Sequence, residues 1–334
     1  MKILNIYNVI TNTSVPYELE QHMASKFKFD VFSHLRLNSI GDSIRCFWKT
    51  YRAIRDNDVI HSHHTFSSVV VSFYKIFFVG KKKLFCCTVH RNYRSAGKVK
   101  ALIFSILVFP FRDKIICNSH ATKASLPPYV KQFLSHRIEV AYNGVNLSSI
   151  SCSINFPINK INLVNVGRLV QEKDQITLIR MCTVLSQRKV DYHLTICGGG
   201  PLEKSLKQEI IERGLSDRVS LLGNISRSNV YKNLFNASVY ISTSTTEGFG
   251  NSSIEAMASG SPVLLTDIPV SAEIINCQQL MFPTGDYQEL ANKVQKLCED
   301  KRYFMKVALS GIKKSKDYSL EAAANAYHLL YTKR

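Results

Sequence analysis

The sequence predicts an α/β protein built from two doubly wound domains, and three observations carry that expectation. Short apolar runs alternate with helical stretches along the whole chain, as parallel strands joined by crossover helices do. The pattern stops and restarts once, at Ile161. Between the halves lies a Ser- and Asn-rich stretch, Asn146 to Asn159 with Pro157, whose composition suits an exposed linker. With 334 residues and 45% hydrophobic content, each half is long enough to bury its own core.

In chain order, the first half places strands at Lys2 to Tyr7, Phe29 to Ser33, Val59 to Ser62, Leu84 to His90, Lys114 to Asn118 and Ile138 to Tyr142, with helices expected between them. The second half repeats the pattern at Ile161 to Val166, His193 to Cys197, Val219 to Leu222, Val239 to Ser242 and Val263 to Thr266. A boundary near residue 150 gives domains 1–150 and 151–334. Ligands of such sheets bind beyond the carboxyl ends of the strands, so the chemistry is sought there.

The net charge of +18 is unevenly spread: residues 1–150 hold 21 Lys/Arg against 8 Asp/Glu, a net of +13, and the remainder carries +5. That asymmetry points to an anionic partner surface, lipid head groups or nucleic acid, between which charge alone does not choose. The longest apolar run, Ala101 to Phe111, is about half of the roughly 20 residues that cross a bilayer, so it can lie on a membrane without spanning it. Nine cysteines without C-x-x-C spacing, and no secretory leader ahead of Lys2, suit reduced thiols in a cytosolic protein. His61-x-His63-His64 invites a metal, but no neighbouring Cys or carboxylate completes a tetrahedral set, and no metal site is expected.

The most informative segment is Glu247-Gly-Phe-Gly-Asn-Ser-Ser-Ile-Glu255, which bridges a strand to a helix. Glu247 falls in the loop at the helix entrance and Glu255 one to two turns inside, so both can face one ligand. Gly248 and Gly250 let backbone N–H groups approach an anion such as a diphosphate at the helix N-terminus. Carboxylates beside an anion are best turned toward hydroxyl donors, which makes sugar and ribose hydroxyls their natural partners. Arg168 and Lys173 put two cations at another strand-to-helix junction, where they can offset charge developing on a departing phosphate. The plain alternative is an exposed loop, a surface glutamate and two solvated bases.

These segments resemble the GT4-like group of retaining GT-B glycosyltransferases. Glu247-Gly-Phe-Gly, Glu255-Ala-Met-Ala-Ser-Gly260 and Pro262-Val are similar to its E-x7-E element and the strand that follows, and Val166-Gly-Arg-Leu169 with Lys173 to its G-R-L-x-x-x-K element. The resemblance implies two Rossmann-like domains facing a central cleft, the first binding acceptor and the second the nucleotide sugar. It further implies that Glu247 and the amides of Gly248, Phe249, Gly250 and Asn251 hold the donor sugar, that Glu255 holds the ribose, and that Arg168 and Lys173 grip the diphosphate. Cys197-Gly-Gly-Gly-Pro-Leu202, with Gly199, resembles the turn beneath the nucleotide, and Leu222-Gly-Asn-Ile225 the backbone contact to the base. In the first half the match is carried by Thr88-Val-His90, which implies His90 in the active site near the donor sugar, by Asn118-Ser119 and by Tyr142-Asn-Gly-Val145. The loop Asn8 to Val15 departs from the family by lacking its Gly-Gly pair.

The activity so implied is retaining transfer from a nucleotide diphosphate-sugar, with a UDP-sugar as the expected donor, onto a carbohydrate acceptor carried on a polyprenyl diphosphate. The leaving phosphate takes the acceptor proton in a front-face reaction, without cofactor or metal. An Asn-, Ser-, Ile- and Lys-rich composition associates with bacterial O-antigen and capsule synthesis, which implies a cytoplasmic protein, peripheral on the inner face of the membrane. Lys81, Lys82, Lys83, Arg91, Arg94, Lys98, Lys100, Arg112 and Lys114 around apolar Val99 to Phe111 are expected to meet anionic lipid, against the alternative of a core helix under a solvated rim. No nucleic-acid partner is expected. The rivals are a sugar-nucleotide epimerase or phosphorylase of the same fold, and a non-catalytic binder of anionic surfaces.

Overall fold

The computed structural model describes residues 1–7, 15–24, 27–33, 40–63, 65–77, 83–90, 92–93 and 97–332. The chain divides into two compact units, Met1–Gly144 with Leu320–Arg334, and Val145–Ser319.

The first unit winds around a parallel sheet of β1 (Lys2–Tyr7), β2 (Lys28–Ser33), β3 (Val59–Ser62), β4 (Leu84–Val89), β5 (Lys114–Cys117) and β6 (Ile138–Val140), in the order β2-β1-β3-β4-β5-β6. Its inner strands are apolar on both faces, Ile60, Phe85, Cys86, Cys87, Ile115 and Ile116 all being buried, because helices cover both sides. The strand order reverses direction between β1 and β3.

The second unit holds β7 (Ile161–Val166), β8 (Tyr192–Cys197), β9 (Val219–Leu221), β10 (Val239–Ser242), β11 (Val263–Thr266) and β12 (Met281–Phe282), again all parallel, in the order β12-β11-β10-β7-β8-β9. Read from β9 inward this is the Rossmann order 3-2-1-4-5-6, with its switch point between β7 and β10. The two-residue edge strand β12 was not expected from the sequence.

The domain limits 1–150 and 151–334 need correction. Helix Leu320–Thr332 belongs to the first unit, where Ala324, Tyr327, Leu330 and Tyr331 share one core cluster with Ile3, Met23, Phe27, Val59 and Cys86. Spacing of three and four residues puts that row on one helix face, and the strand faces it covers would otherwise be bare. Gly144 lets the helix lie close, since a Cβ there would stand 2.9 Å from the Leu320 side chain. Val145 N donates to Tyr318 O at 2.9 Å and Val145 bridges Ser319, so the two connections between the units run side by side.

The segment read as an apolar interfacial helix is a helix at Lys98–Ile103, a π-helical turn at Phe104–Val108 and a 3-10 turn at Phe109–Phe111. Val108 and Phe109 are wholly buried, whereas Val99, Leu102, Ile106 and Leu107 are exposed, as are Phe66, Phe73 and Ile76 on the neighbouring helix Thr65–Phe77. Three of the cations expected to face lipid are instead turned inward. Arg112 is fully buried and donates to Ser72 Oγ at 3.0 Å and to Ser68 O at 2.5 Å. Lys114 Nζ donates to Leu330 O at 2.8 Å, and Lys83 Nζ to Arg55 O at 2.6 Å, the final turns of two helices whose carbonyls lack intrahelical partners. Lys81, Lys82, Arg91 and Arg94 lie outside the described residues, as do the side chains of Lys98 and Lys100. Among the described residues no helix is long and apolar enough to cross a membrane.

Candidate functional site

In the second unit the residues singled out from sequence converge at the β7/β10 switch point. The loop after β7 runs through Arg168 and a 3-10 turn, Gln171–Lys173, to helix Gln175–Gln187. The loop after β10 is tied to it: Thr243 Oγ1 donates to Lys173 O at 2.9 Å and Thr245 N to Glu172 O at 2.9 Å. That lacing brings Lys173 Nζ onto Glu247 Oε1, which also accepts from Ser244 Oγ at 3.0 Å. Arg168 is exposed, and what is anchored is its backbone, whose carbonyl accepts from Gln175 Nε2 at 2.9 Å.

Gly250, in the left-handed region at φ 87°, turns the chain into helix Asn251–Ala258, whose positive dipole end points into the same place. Phe249 has its ring buried at 3% exposure and edge-on to Tyr318 with centroids 5.5 Å apart, so the ring anchors the loop. Glu255, one turn into the helix and 8% exposed, has Oε1 3.0 Å from Arg227 Nη2 and 3.4 Å from Tyr231 Oη. Burial raises the Tyr240 phenol well above its ordinary range, and the charges of Glu247 and Glu255 add to the push, so both carboxylates act on one group. Each carboxylate of the pair thus holds a cation of its own.

The glycine run after β8 has a packing cause. A Cβ on Gly198, at φ 144°, would stand 2.0 Å from Gly167 O, and one on Gly200 would stand 2.4 Å from Leu169 O. The backbones are that close because Gly167 N donates to Cys197 O and Leu169 N to Gly199 O, at 2.9 and 3.0 Å. Gly198 N donates to Gly223 O at 2.8 Å, and Gly199 N to Asn224 Oδ1 at 3.0 Å. Gly199 is thereby placed beside the Arg168 loop, and Ile225 follows the Asn224 that holds the Gly199 amide. Arg227 and Tyr231, on helix Arg227–Phe235, were missed by the sequence reading.

In the first unit, His90 follows β4 and is half-buried, with His63 Nδ1 3.4 Å from its Nε2 and the rings stacked at 5.6 Å. Asn118 Nδ2 donates to His90 O at 3.1 Å, and Ser119 caps helix His120–Ser125 by accepting from Thr122 N at 2.9 Å. His61 is fully buried, and its two ring nitrogens each lie 2.7 Å from a hydroxyl, of Tyr331 and of Thr88. Burial, with the charges of His90 and Arg112, pulls its pKa down to about 3, so it is a neutral core residue. His64 and Asn8 to Ser14 lie outside the described residues. Among those described, no three His, Cys, Asp or Glu gather as metal ligands, and Cys86, Cys87, Cys117, Cys182 and Cys197 are free and buried whereas Cys152 is exposed.

Residues 150–316 match the family described as Glycosyl transferases group 1, and residues 10–149 match Glycosyltransferase Family 4. An uncharacterized glycosyltransferase of Methanocaldococcus jannaschii is 26% identical over 253 residues, 70% of this chain and 62% of the relative. The O-antigen chain mannosyltransferase RfbU of Salmonella typhimurium is 33% identical over 236 residues, 65% of each chain. An N-acetylgalactosaminyltransferase of Campylobacter jejuni, named for a diphospho-undecaprenol acceptor, is 32% identical over 165 residues, 48% of this chain and 43% of its own. Among solved structures, Anabaena HepE in complex with UDP and glucose superposes with a TM-score of 0.84 at 18% identity over 100% of both chains. The shared property at that identity is the fold, GT-B.

Proposed function

The chain belongs to the group 1 glycosyltransferases, and we propose that it transfers a sugar, with retention, from a nucleotide diphosphate-sugar onto a carbohydrate acceptor. The observation that carries this reading is the pairing of each switch-point carboxylate with a cation, Lys173 on Glu247 and Arg227 on Glu255. A bare carboxylate would repel a diphosphate; a paired one is neutralised and still accepts hydroxyl protons. Glu247 then takes hydroxyls of the donor sugar and Glu255 those of the ribose. Arg168, Lys173 and the dipole of helix Asn251–Ala258 stabilise the leaving diphosphate. The anomeric carbon–phosphate oxygen bond breaks, the acceptor oxygen attacks the same face, and its proton passes to the leaving phosphate oxygen. With this much positive charge from the protein, a divalent metal is not required.

A UDP-sugar donor is suggested by structural neighbours holding UDP, and a polyprenyl-diphosphate-linked acceptor in O-antigen or capsule synthesis by the names of the Campylobacter and Salmonella relatives. Screening nucleotide sugars for protection against thermal unfolding identifies the donor, because a ligand selective for the folded state raises stability. Transfer is then measured with EDTA present. Disaccharide of the donor's anomeric configuration is expected; an epimerised donor, free sugar phosphate, or activity that returns only on adding metal overturns the reading.

Glu255→Ala should weaken binding of the free nucleoside diphosphate about ten-fold, as loss of a hydrogen bond to a charged group does. It also strands Arg227. Arg227→Ala should act in the same direction, because it frees the carboxylate to repel the diphosphate. Titration calorimetry decides, and unchanged affinity in Glu255→Ala rejects the ribose role.

The exposed apolar side of Lys98–Ile103 and its π-helical extension, with Phe66, Phe73 and Ile76 beside it, is proposed to rest on the inner membrane face. Co-sedimentation should favour vesicles of anionic over neutral lipid and weaken as salt shortens the Debye length to about 3 Å at 1 M. Equal binding to both vesicle types, or binding to neither, removes the membrane from the reading.

A further inference from the structure

At the amino end of β11 the second unit holds a cavity of about 150 Å³ that no step above uses. The switch-point carboxylates stand beyond the carboxyl ends of the strands, so this is a separate place. Four segments wall it. Met257 comes from helix Asn251–Ala258, Val263 opens β11, and Val307 and Gly311 lie on helix Lys301–Ser315. Asn276, left-handed at φ 43°, ends helix Pro269–Ile275 and turns the chain so that Ile275 and Leu280 close the remaining side.

Glycine in a helix interior is unfavourable relative to alanine, yet Gly311 stands inside a 15-residue helix. Close packing does not demand it there. The nearest neighbours of an added Cβ would be atoms of Met257, at 3.4 Å and beyond, which is ordinary van der Waals contact. What the missing side chain provides is room in the cavity.

The lining restricts the guest. A cavity of this size with apolar walls takes up a group of roughly six carbon atoms. The charged side chains around it are Lys306 and Lys314, and no Asp or Glu lines it, so an anion is favoured over a cation. Lys314 Nζ already donates to Asp317 Oδ2 at 3.0 Å, whereas no ion pair among the described residues involves Lys306. Inorganic phosphate would leave the apolar walls unfilled, and a plain hydrocarbon would leave the ammonium groups unmatched.

We propose that this cavity is a second ligand site, for a small amphiphilic anion whose hydrocarbon part of about six carbons lies against Met257, Val263, Leu280 and Val307 while its carboxylate or phosphate meets Lys306. The site does not depend on the transferase reading.

Titration calorimetry on the full chain takes hexanoate and hexyl phosphate as probes, with hexan-1-ol, acetate and inorganic phosphate as controls. One of the two amphiphilic anions should bind as a single equivalent and at least about ten-fold more tightly than every control, since it alone uses both the walls and the amine. Tighter binding by hexyl phosphate identifies a phosphomonoester head, and by hexanoate a carboxylate. Gly311→Leu puts a side chain into the cavity while favouring the helix, so it should keep or raise the melting temperature and abolish binding. Lys306→Gln, on the exposed rim, should weaken binding of the anion about three- to five-fold. Should Gly311→Leu fail to fold, Lys306→Gln and the controls decide. Binding by neither anion, controls that bind equally well, or undiminished affinity in folded Gly311→Leu or in Lys306→Gln overturns the proposal.

Discussion

Arg168→Ala is expected to lower turnover about 10²-fold, the usual cost of removing one preorganised group that stabilises charge in a transition state. The structure makes this a clean experiment. Arg168 is exposed just beyond β7, and the tie at that position is its backbone carbonyl on Gln175, which alanine retains. Melting temperature should therefore stay at the wild-type value while kcat and kcat/KM fall together, the signature of an interaction made in the transition state alone. Lys173→Ala also removes the partner of Glu247, leaving a carboxylate turned toward the diphosphate, so donor KM should rise in addition. Wild-type turnover in folded Arg168→Ala would sink the diphosphate assignment.

Gly198→Ala is expected to cost about 3–5 kcal/mol of stability, in the range of changes that force a backbone clash at a strained position. The new Cβ would stand 2.0 Å from Gly167 O, a backbone atom that cannot retreat without loosening the hydrogen bonds of Gly167 N and Leu169 N to the β8 turn. Those bonds hold the Arg168 loop, so nucleotide protection should vanish along with stability. Gly214→Ala is the control. It has φ 64° but nothing within 4 Å of the added Cβ, so only the left-handed backbone is penalised, at about 1 kcal/mol. Urea unfolding of the two variants compares them directly, and a Gly198→Ala midpoint no lower than that of Gly214→Ala would refute the close-approach account.

The strands were legible because a parallel sheet covered on both faces writes near-continuous apolar runs, as Val263 to Thr266 and Lys2 to Tyr7 do. Met281–Phe282 was not, since two residues make no pattern. In the site, Glu247 and Glu255 were legible because one strand–loop–helix unit carries both, and their relation is fixed by helix geometry. Arg227 and Tyr231 were not: they reach Glu255 across 28 and 24 residues through the packing of two helices, and nothing local marks them. Charge was misleading for Arg112, Lys114 and Lys83, because counting cations cannot tell a solvated one from one spent on a helix-end or buried carbonyl.

Helix Leu320–Thr332 is translated after every residue of the second domain, yet it completes the core of the first. On the ribosome, the domain that starts first is therefore finished last. Val145–Ser319 can close on itself as it emerges, while the surfaces of Ile3, Val59 and Cys86 await Tyr327 and Tyr331, an interval of about 10 s or more at ordinary elongation rates. During that interval the half-made first domain is the form of the nascent chain that offers apolar surface to chaperones.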